Sequence, residues 1–193
     1  MDAWIESALA PIVSTPDEAP AFWLNDCLWT VLASGDQTGG AYSLIEQLMP
    51  NHVGPPPHIH QRQIEGFYIL EGSMKIQIGT ETVDGTAGTF VSVPRGAPHC
   101  FIVTSETARV LNLYVPAALD TQVMLLGTPA THRTLPPEGA QNAPTAEQEQ
   151  AFRDAIMAQA TQDRTTVPNL VGGPGPGSAG PSGTDQPPTG SVS

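Results

Sequence analysis

The sequence predicts a mostly β protein, built as a small antiparallel barrel or sandwich. Three observations carry that expectation. From about residue 21 to 116, short apolar runs are cut by turn residues at regular intervals. The segment Met74-Lys75-Ile76-Gln77-Ile78 alternates apolar and polar side chains, the period of a half-buried strand. The chain also holds 19 glycines and 20 prolines, a bias toward many short elements and turns or toward a disordered segment.

Taken in order, the candidate strands are Cys27–Ala33, Tyr42–Met49, Gly66–Leu70, Met74–Ile78, Thr89–Val93, Cys100–Thr104 and Arg109–Val115. Ser34-Gly35-Asp36, Glu71-Gly72, Asp84-Gly85 and Arg95-Gly96 between them read as tight turns. After Pro116 the character changes. Ala117–Leu126 reads as a short helix and Thr145–Gln162 as a longer one. Thr145 is the N-cap of the second, with Gln148 at capping-box spacing. Phe152, Ile156 and Ala160 form its apolar stripe, placed to dock on the barrel. From Pro168 to Ser193 the chain is Gly, Pro, Ser and Thr with almost no large apolar residue, so a disordered tail is expected. The expected organisation is an N-terminal extension (1–20), a barrel (21–116), a helical segment (117–167) and the tail (168–193).

Composition narrows the function. The 193 residues fit one domain, and 39% hydrophobic content suffices for one core. Acidic residues outnumber basic ones by 19 to 7, for a formal charge of -12. Such a surface repels phosphate backbones and anionic lipid, so neither nucleic acid nor membrane is an expected partner. No apolar run approaches the ~20 residues of a membrane span. The acidic N-terminus lacks the basic start of a signal peptide. Cys27 and Cys100 lack framework spacing and read as reduced thiols, so a cytoplasmic location is expected. Trp4, Trp23 and Trp29 make the N-terminal region unusually apolar; a homodimer would account for them, and core packing accounts for them equally well.

The chemistry concentrates in two stretches. In "GPPPHIHQRQIEGFYILEG", residues 54–72, His58 and His60 lie at i and i+2 and share one face of a strand. Glu65 lies at an odd offset, so Gln61–Ile64 must turn or bulge if it is to converge with them. Two imidazoles and a carboxylate make a borderline-soft site for a divalent metal. In "GTFVSVPRGAPHCF", residues 88–101, Gly88 opens a strand, Pro94 ends it, Gly96 permits a turn and His99 starts the next strand. A third histidine thus arrives from a separate hairpin. His52 and His132 fall outside both patterns and read as loop residues.

The two stretches resemble the paired motifs of the cupin superfamily. The first motif, His-x-His, four residues, Glu, six residues, Gly, finds His58, His60, Glu65 and Gly72 in register. The second, Gly, five residues, Pro-x-Gly, two residues, His, finds Gly88, Pro94, Gly96 and His99 in register. Fifteen residues separate the motifs. The family's leading glycine falls at His52, with Gly54 nearby, and the Asn that often closes the second motif is replaced by Val103. The resemblance implies a jelly-roll β-barrel, the double-stranded β-helix of cupins, with short C-terminal helices. It also implies that His58, His60, Glu65 and His99 together bind one divalent transition metal (Fe, Mn, Ni, Cu or Zn).

Three histidines and a carboxylate leave open positions on such a metal for water, dioxygen or a substrate oxygen. Strand alternation places Phe67 and Ile69 on the face of Glu65, Phe101 and Val103 on that of His99, and Met74, Ile76 and Ile78 on one face of the strand between. Phe67, Met74 and Phe101 are therefore the expected pocket residues, unless they simply fill the core. Arg109 and Arg62 are the nearest cations for a small dianion, so an apolar, aromatic substrate fits better. At a finer level the chain resembles quercetinase-like dioxygenases, which add dioxygen across a flavonol ring. In that family the ligand Glu also takes the substrate hydroxyl proton, which would make Glu65 ligand and general base together. A non-redox isomerase or lyase and a non-catalytic binding protein remain the alternatives. No P-loop, dinucleotide fingerprint, serine-hydrolase motif or basic helix-turn-helix is visible.

Overall fold

The computed structural model describes residues 10–140 and 142–154. Ten strands, β1 (Ala21–Leu24), β2 (Cys27–Ala33), β3 (Ser43–Pro50), β4 (Ile64–Glu71), β5 (Ser73–Ile78), β6 (Glu81–Thr86), β7 (Phe90–Val93), β8 (His99–Val103), β9 (Thr107–Val115) and β10 (Thr128–Pro129), form two antiparallel sheets. One sheet runs β10-β1-β2-β3-β9-β4-β7 and the other β6-β5-β8. Each of the seven strands expected from the sequence is present, with ends within two residues of expectation. The fold is the cupin-type jelly-roll barrel.

The barrel holds together through the inward residues of both sheets. Phe67, Ile69, Met74, Ile76, Val93, Val103 and Val110 are almost wholly removed from solvent and form one cluster. Each such side chain stabilises the fold by about 1.5–3 kcal/mol relative to exposure. Val103, at the position where the second motif often carries Asn, belongs to this core. A second cluster forms where helix α1 (Asp120–Leu126) packs Val123 and Leu126 on Leu24 and Val31.

Three departures from expectation have local causes. Strand β1 is missed because it is only four residues long, yet its partner signal is present. Asn25 and Asp26 both take positive φ (51° and 62°) and link Leu24 to Cys27 in a two-residue hairpin. That is the primed turn Asn and Asp favour. Asp84-Gly85 is not a turn but part of β6, paired with Lys75 and Met74 of β5. Gly85 is there for close approach: a Cβ would sit 2.5 Å from Ile69 Cδ1. The first helix starts at Asp120 rather than Ala117, because Ala117 N–H bonds Gly40 O and Leu119 takes φ 64°.

The second helix, α2, spans residues 146–154 in its described part. Its capping box forms as expected, Thr145 N–H donating to Gln148 Oε1 at 2.8 Å and Gln148 N–H to Thr145 Oγ1 at 3.2 Å. Phe152 packs on the α1 cluster. Ile156, Ala160, the expected tail after Pro168, and Trp4 lie outside the described residues. Trp23 and Trp29 are used within the fold. The Trp23 indole donates to Thr134 O and that of Trp29 to Leu24 O, both at 2.9 Å. Core packing therefore accounts for both rings.

Candidate metal centre

The site is assembled from three elements. Pro55, Pro56 and Pro57 lack backbone donors and keep the segment before His58 out of any helix. His58 then forms a single antiparallel bridge to His99, with N–H···O distances of 3.0 and 2.9 Å. Gly96 N–H donates to His60 O at 2.9 Å, tying the loop to the second motif. Residues 61–62 bend before β4 begins at Ile64. This bend is what the odd spacing of Glu65 requires. In the sheet Glu65 stands opposite Val93 of β7 and Tyr114 of β9.

The loop lies directly against β8. At Gly54 a Cβ would come within 1.8 Å of Phe101 O and 2.7 Å of its carbonyl carbon, so no side chain fits without displacing backbone. His52, at the family's glycine position, adopts φ 62°, the backbone conformation glycine would supply. We expect Gly54→Ala to destabilise the metal-free protein by about 1–3 kcal/mol through overpacking. Its thermal midpoint should fall by several degrees and its metal affinity should weaken as the His58 loop shifts. A variant with wild-type melting and metal titration would show that the contact relaxes freely.

His58, His60, Glu65 and His99 each offer one ligand atom, all within 4.8 Å of one another. Glu65 and His99 are buried and the other two half-buried. His58 Nδ1 lies 3.0 Å from Pro56 O and His99 Nδ1 3.0 Å from Ala97 O. These carbonyls hold the proton on Nδ1 and leave Nε2 to act toward the centre. His99 Nε2 lies 2.9 Å from Glu65 Oε2. His60 Nε2 lies 3.1 Å from the same oxygen, but without hydrogen-bonding geometry, and is a buried nitrogen with no hydrogen-bond partner. A buried, unpartnered imidazole nitrogen facing a carboxylate and two more imidazoles fits a divalent cation.

Tyr114 completes the cluster. Its hydroxyl is buried and donates to Glu65 Oε1. Burial and the neighbouring Glu65 charge push its phenol well above the ordinary value. For Glu65 itself burial acts upward, but His60, His99 and the Tyr114 hydroxyl outweigh it and bring the carboxyl down to about 2. The Glu65 hydrogen bond raises His99 above 6.5 despite desolvation, whereas desolvation lowers His58. In the metal-free protein the depressed carboxyl stabilises above about 4.5 and loses that contribution as pH falls toward 2. The raised His99 contributes fully below 6.5 and loses its contribution as pH rises through the folded value. The His99–Glu65 pair is thus worth most in weak acid, and bound protons compete with metal there.

A cavity of about 460 Å³ opens beside the cluster, within the range that holds small-molecule ligands. His58, His60, Glu65 and Tyr114 line it with Leu24, Trp29, Val53, Phe101 and Leu119. Of the three expected pocket residues, Phe101 lines the cavity. Phe67 and Met74 do not: both are about 1% exposed and pack in the barrel core, because their strand faces point between the sheets. Phe67 meets Phe101 edge-on at 5.4 Å and so supports the wall from behind. Arg109 is held by Glu46 and Glu71, and among the described residues no lysine or arginine lines the cavity. His52 and His132 are exposed loop residues. Tyr114, Asn112 and Gln47 were missed, although alternation along Ala108, Val110, Asn112 and Tyr114 marks their common inward face.

Comparison with known proteins agrees with this geometry. Residues 44–114 match the family described as Cupin domain. Over 126 residues the chain is 31% identical to quercetin 2,3-dioxygenase of Aspergillus japonicus, covering 62% of this chain and 36% of the relative. Over 110 residues it is 26% identical to quercetin 2,3-dioxygenase of Bacillus subtilis, covering 56% and 32%. The chain thus matches about a third of the length of these curated relatives. An RmlC-like cupin from Shewanella frigidimarina superposes with a TM-score of 0.51 at 15% identity, over 57% of this chain and 96% of the other, a likeness of fold.

Proposed function

Given that the chain carries a cupin domain over residues 44–114, we propose that it is a metal-dependent dioxygenase acting on a phenolic or flavonol-like aromatic molecule. One observation supports this best: a three-histidine, one-glutamate cluster borders a mainly apolar cavity whose described lining carries no cationic side chain. A flat aromatic ligand suits such walls, whereas a small dianion would be desolvated there without a counter-charge. The similarity to the two quercetin 2,3-dioxygenases points the same way.

His58, His60, Glu65 and His99 would hold the metal, which supplies Lewis acidity toward a substrate oxygen and, for a redox-active ion, access to dioxygen. The chain's own groups do the rest. Pro56 O and Ala97 O orient the imidazoles of His58 and His99. Trp29, Val53, Phe101 and Leu119 receive the aromatic body and limit water around it. Glu65 Oε2 takes the proton of the substrate hydroxyl, while the Tyr114 hydroxyl holds Oε1 and keeps the carboxylate from rotating.

The test is oxygen consumption. Freshly purified, metal-loaded protein is expected to consume dioxygen in step with loss of a flavonol such as quercetin and to stop under argon. Equal conversion under argon would remove the dioxygenase reading and favour a non-redox isomerase or lyase. Protein isolated without tightly bound metal, and inert after metal addition, would favour a binding role.

A further inference from the structure

The cavity wall carries a second polar feature, separate from the metal-ligand cluster. Gln47 on β3 and Asn112 on β9 both line the cavity and are only 2% and 1% exposed. Asn112 shares its strand face with Tyr114, two residues on, and so lies about 7 Å along β9 from the residue that touches Glu65. Its Nδ2 donates to Gln47 Oε1 at 2.8 Å. Gln47 also lies beside the Cys27 side chain, whose thiol burial pushes up to about 12, so Cys27 is an uncharged neighbour rather than a nucleophile. Asn112 Oδ1 remains buried with no partner.

A buried acceptor without a donor is unfavourable in the free protein, and such groups in an otherwise satisfied site call for a ligand or a water. Apolar packing does not call for two adjacent buried amides beside Trp29 and Phe101. We propose that Gln47 and Asn112 form a specificity subsite in which a small rotation of the Asn112 side chain opens Oδ1, closed off in the free protein, to a hydrogen bond from a ring hydroxyl of the ligand, remote from the oxygen presented to the metal. The ligand class is thereby narrowed to an aromatic molecule with at least two oxygen functions several ångströms apart. This rests on the phenolic reading above. Asn112 acts as a discriminator, and Gln47 positions it.

Anaerobic calorimetry on metal-loaded protein tests the subsite without turnover, using 3-hydroxyflavone and its further-hydroxylated counterpart quercetin. Wild type is expected to bind quercetin about tenfold more tightly, the usual worth of one well-placed hydrogen bond. Asn112→Leu should bring that ratio near one and leave 3-hydroxyflavone affinity within about threefold. Should Asn112→Leu fail to fold for want of a partner on Gln47, the double variant Gln47→Met/Asn112→Leu removes both polar groups and carries the same expectation. A wild type without preference, or a ratio that survives the substitution, overturns the subsite while the flavonol reading stands. Binding of neither compound overturns the flavonol reading, and the subsite falls with it.

Discussion

The Glu65→Gln protein is expected to keep its metal and to turn over its aromatic substrate ~10²-fold or more slowly than wild type. The substitution nearly preserves volume, which matters at a residue only 3% exposed. A glutamine oxygen can still coordinate from the position of Oε2, and the amide NH2 then stands where Oε1 was and donates to the Tyr114 oxygen instead of accepting from its hydroxyl. It cannot take a proton. In the metal-free protein His60, His99 and Tyr114 hold the carboxyl at about 2, a poor value for a base. Metal-bound imidazoles present lone pairs and no longer donate, so the basicity that matters is that of the loaded site. Metal analysis beside steady-state rates separates the outcomes. Retained metal with normal turnover would exclude Glu65 as base and leave the ligand role. Lost metal would show that the charge of Glu65, beyond its oxygen, is needed to hold the ion.

His60→Ala should abolish tight metal binding and destabilise the metal-free protein less than His99→Ala does. Its Nε2 faces Glu65 Oε2 at 3.1 Å without hydrogen-bonding geometry, so truncation removes a charge contact that helps hold the carboxylate but breaks no hydrogen bond at the centre. Loss of an outer-shell partner alone lowers metal affinity ~10–100-fold, and loss of a direct ligand should exceed that. His99→Ala is the informative contrast. It removes the 2.9 Å bond to Glu65 and the bond to Ala97 O, and its ring is buried. A hydrogen bond to a charged group is worth about 1.5–3 kcal/mol, so this variant should melt earlier even without metal. Equal metal content in His60→Ala and wild type would sink the four-ligand site. Equal metal-free melting of the two variants would instead show that the His99–Glu65 pair adds nothing to stability.

Both variants lie in the part of the molecule that was legible from sequence. His58, His60, Glu65 and His99 were readable because they fall in register with the paired cupin motifs, and local chain geometry is compatible with that register: alternation pairs the first two, a bend re-aims the third, and a turn between Pro94 and His99 delivers the fourth. The strands were readable because an inward and an outward face impose a period of two. Errors fell where local signals conflicted with tertiary demands. Asp84-Gly85 has the composition of a turn, yet at that point of β6 the buried Ile69 side chain from the opposite sheet approaches so closely that any Cβ would have to displace it. Two of the predicted helix residues before Asp120 break the pattern: Ala117, whose N–H bonds Gly40 O outside the segment, and Leu119, which takes φ 64°.

By itself, then, the order of residues determined the strands, the paired motifs and the identity of four candidate ligands, since alternation, turn signals and motif spacing are all read along the chain. Which buried side chains face the cavity was decided only in three dimensions. Phe67, Met74 and Phe101 all occupy inward positions, but the two sheets close over the first two and leave Phe101 at the opening. Tyr114, Asn112 and Gln47 became visible as site residues only when β9 was placed between β3 and β4, bringing Tyr114 opposite Glu65 and Asn112 within reach of Gln47. Alternation assigns a side chain to a face; whether that face meets packing or open space depends on strands distant in sequence.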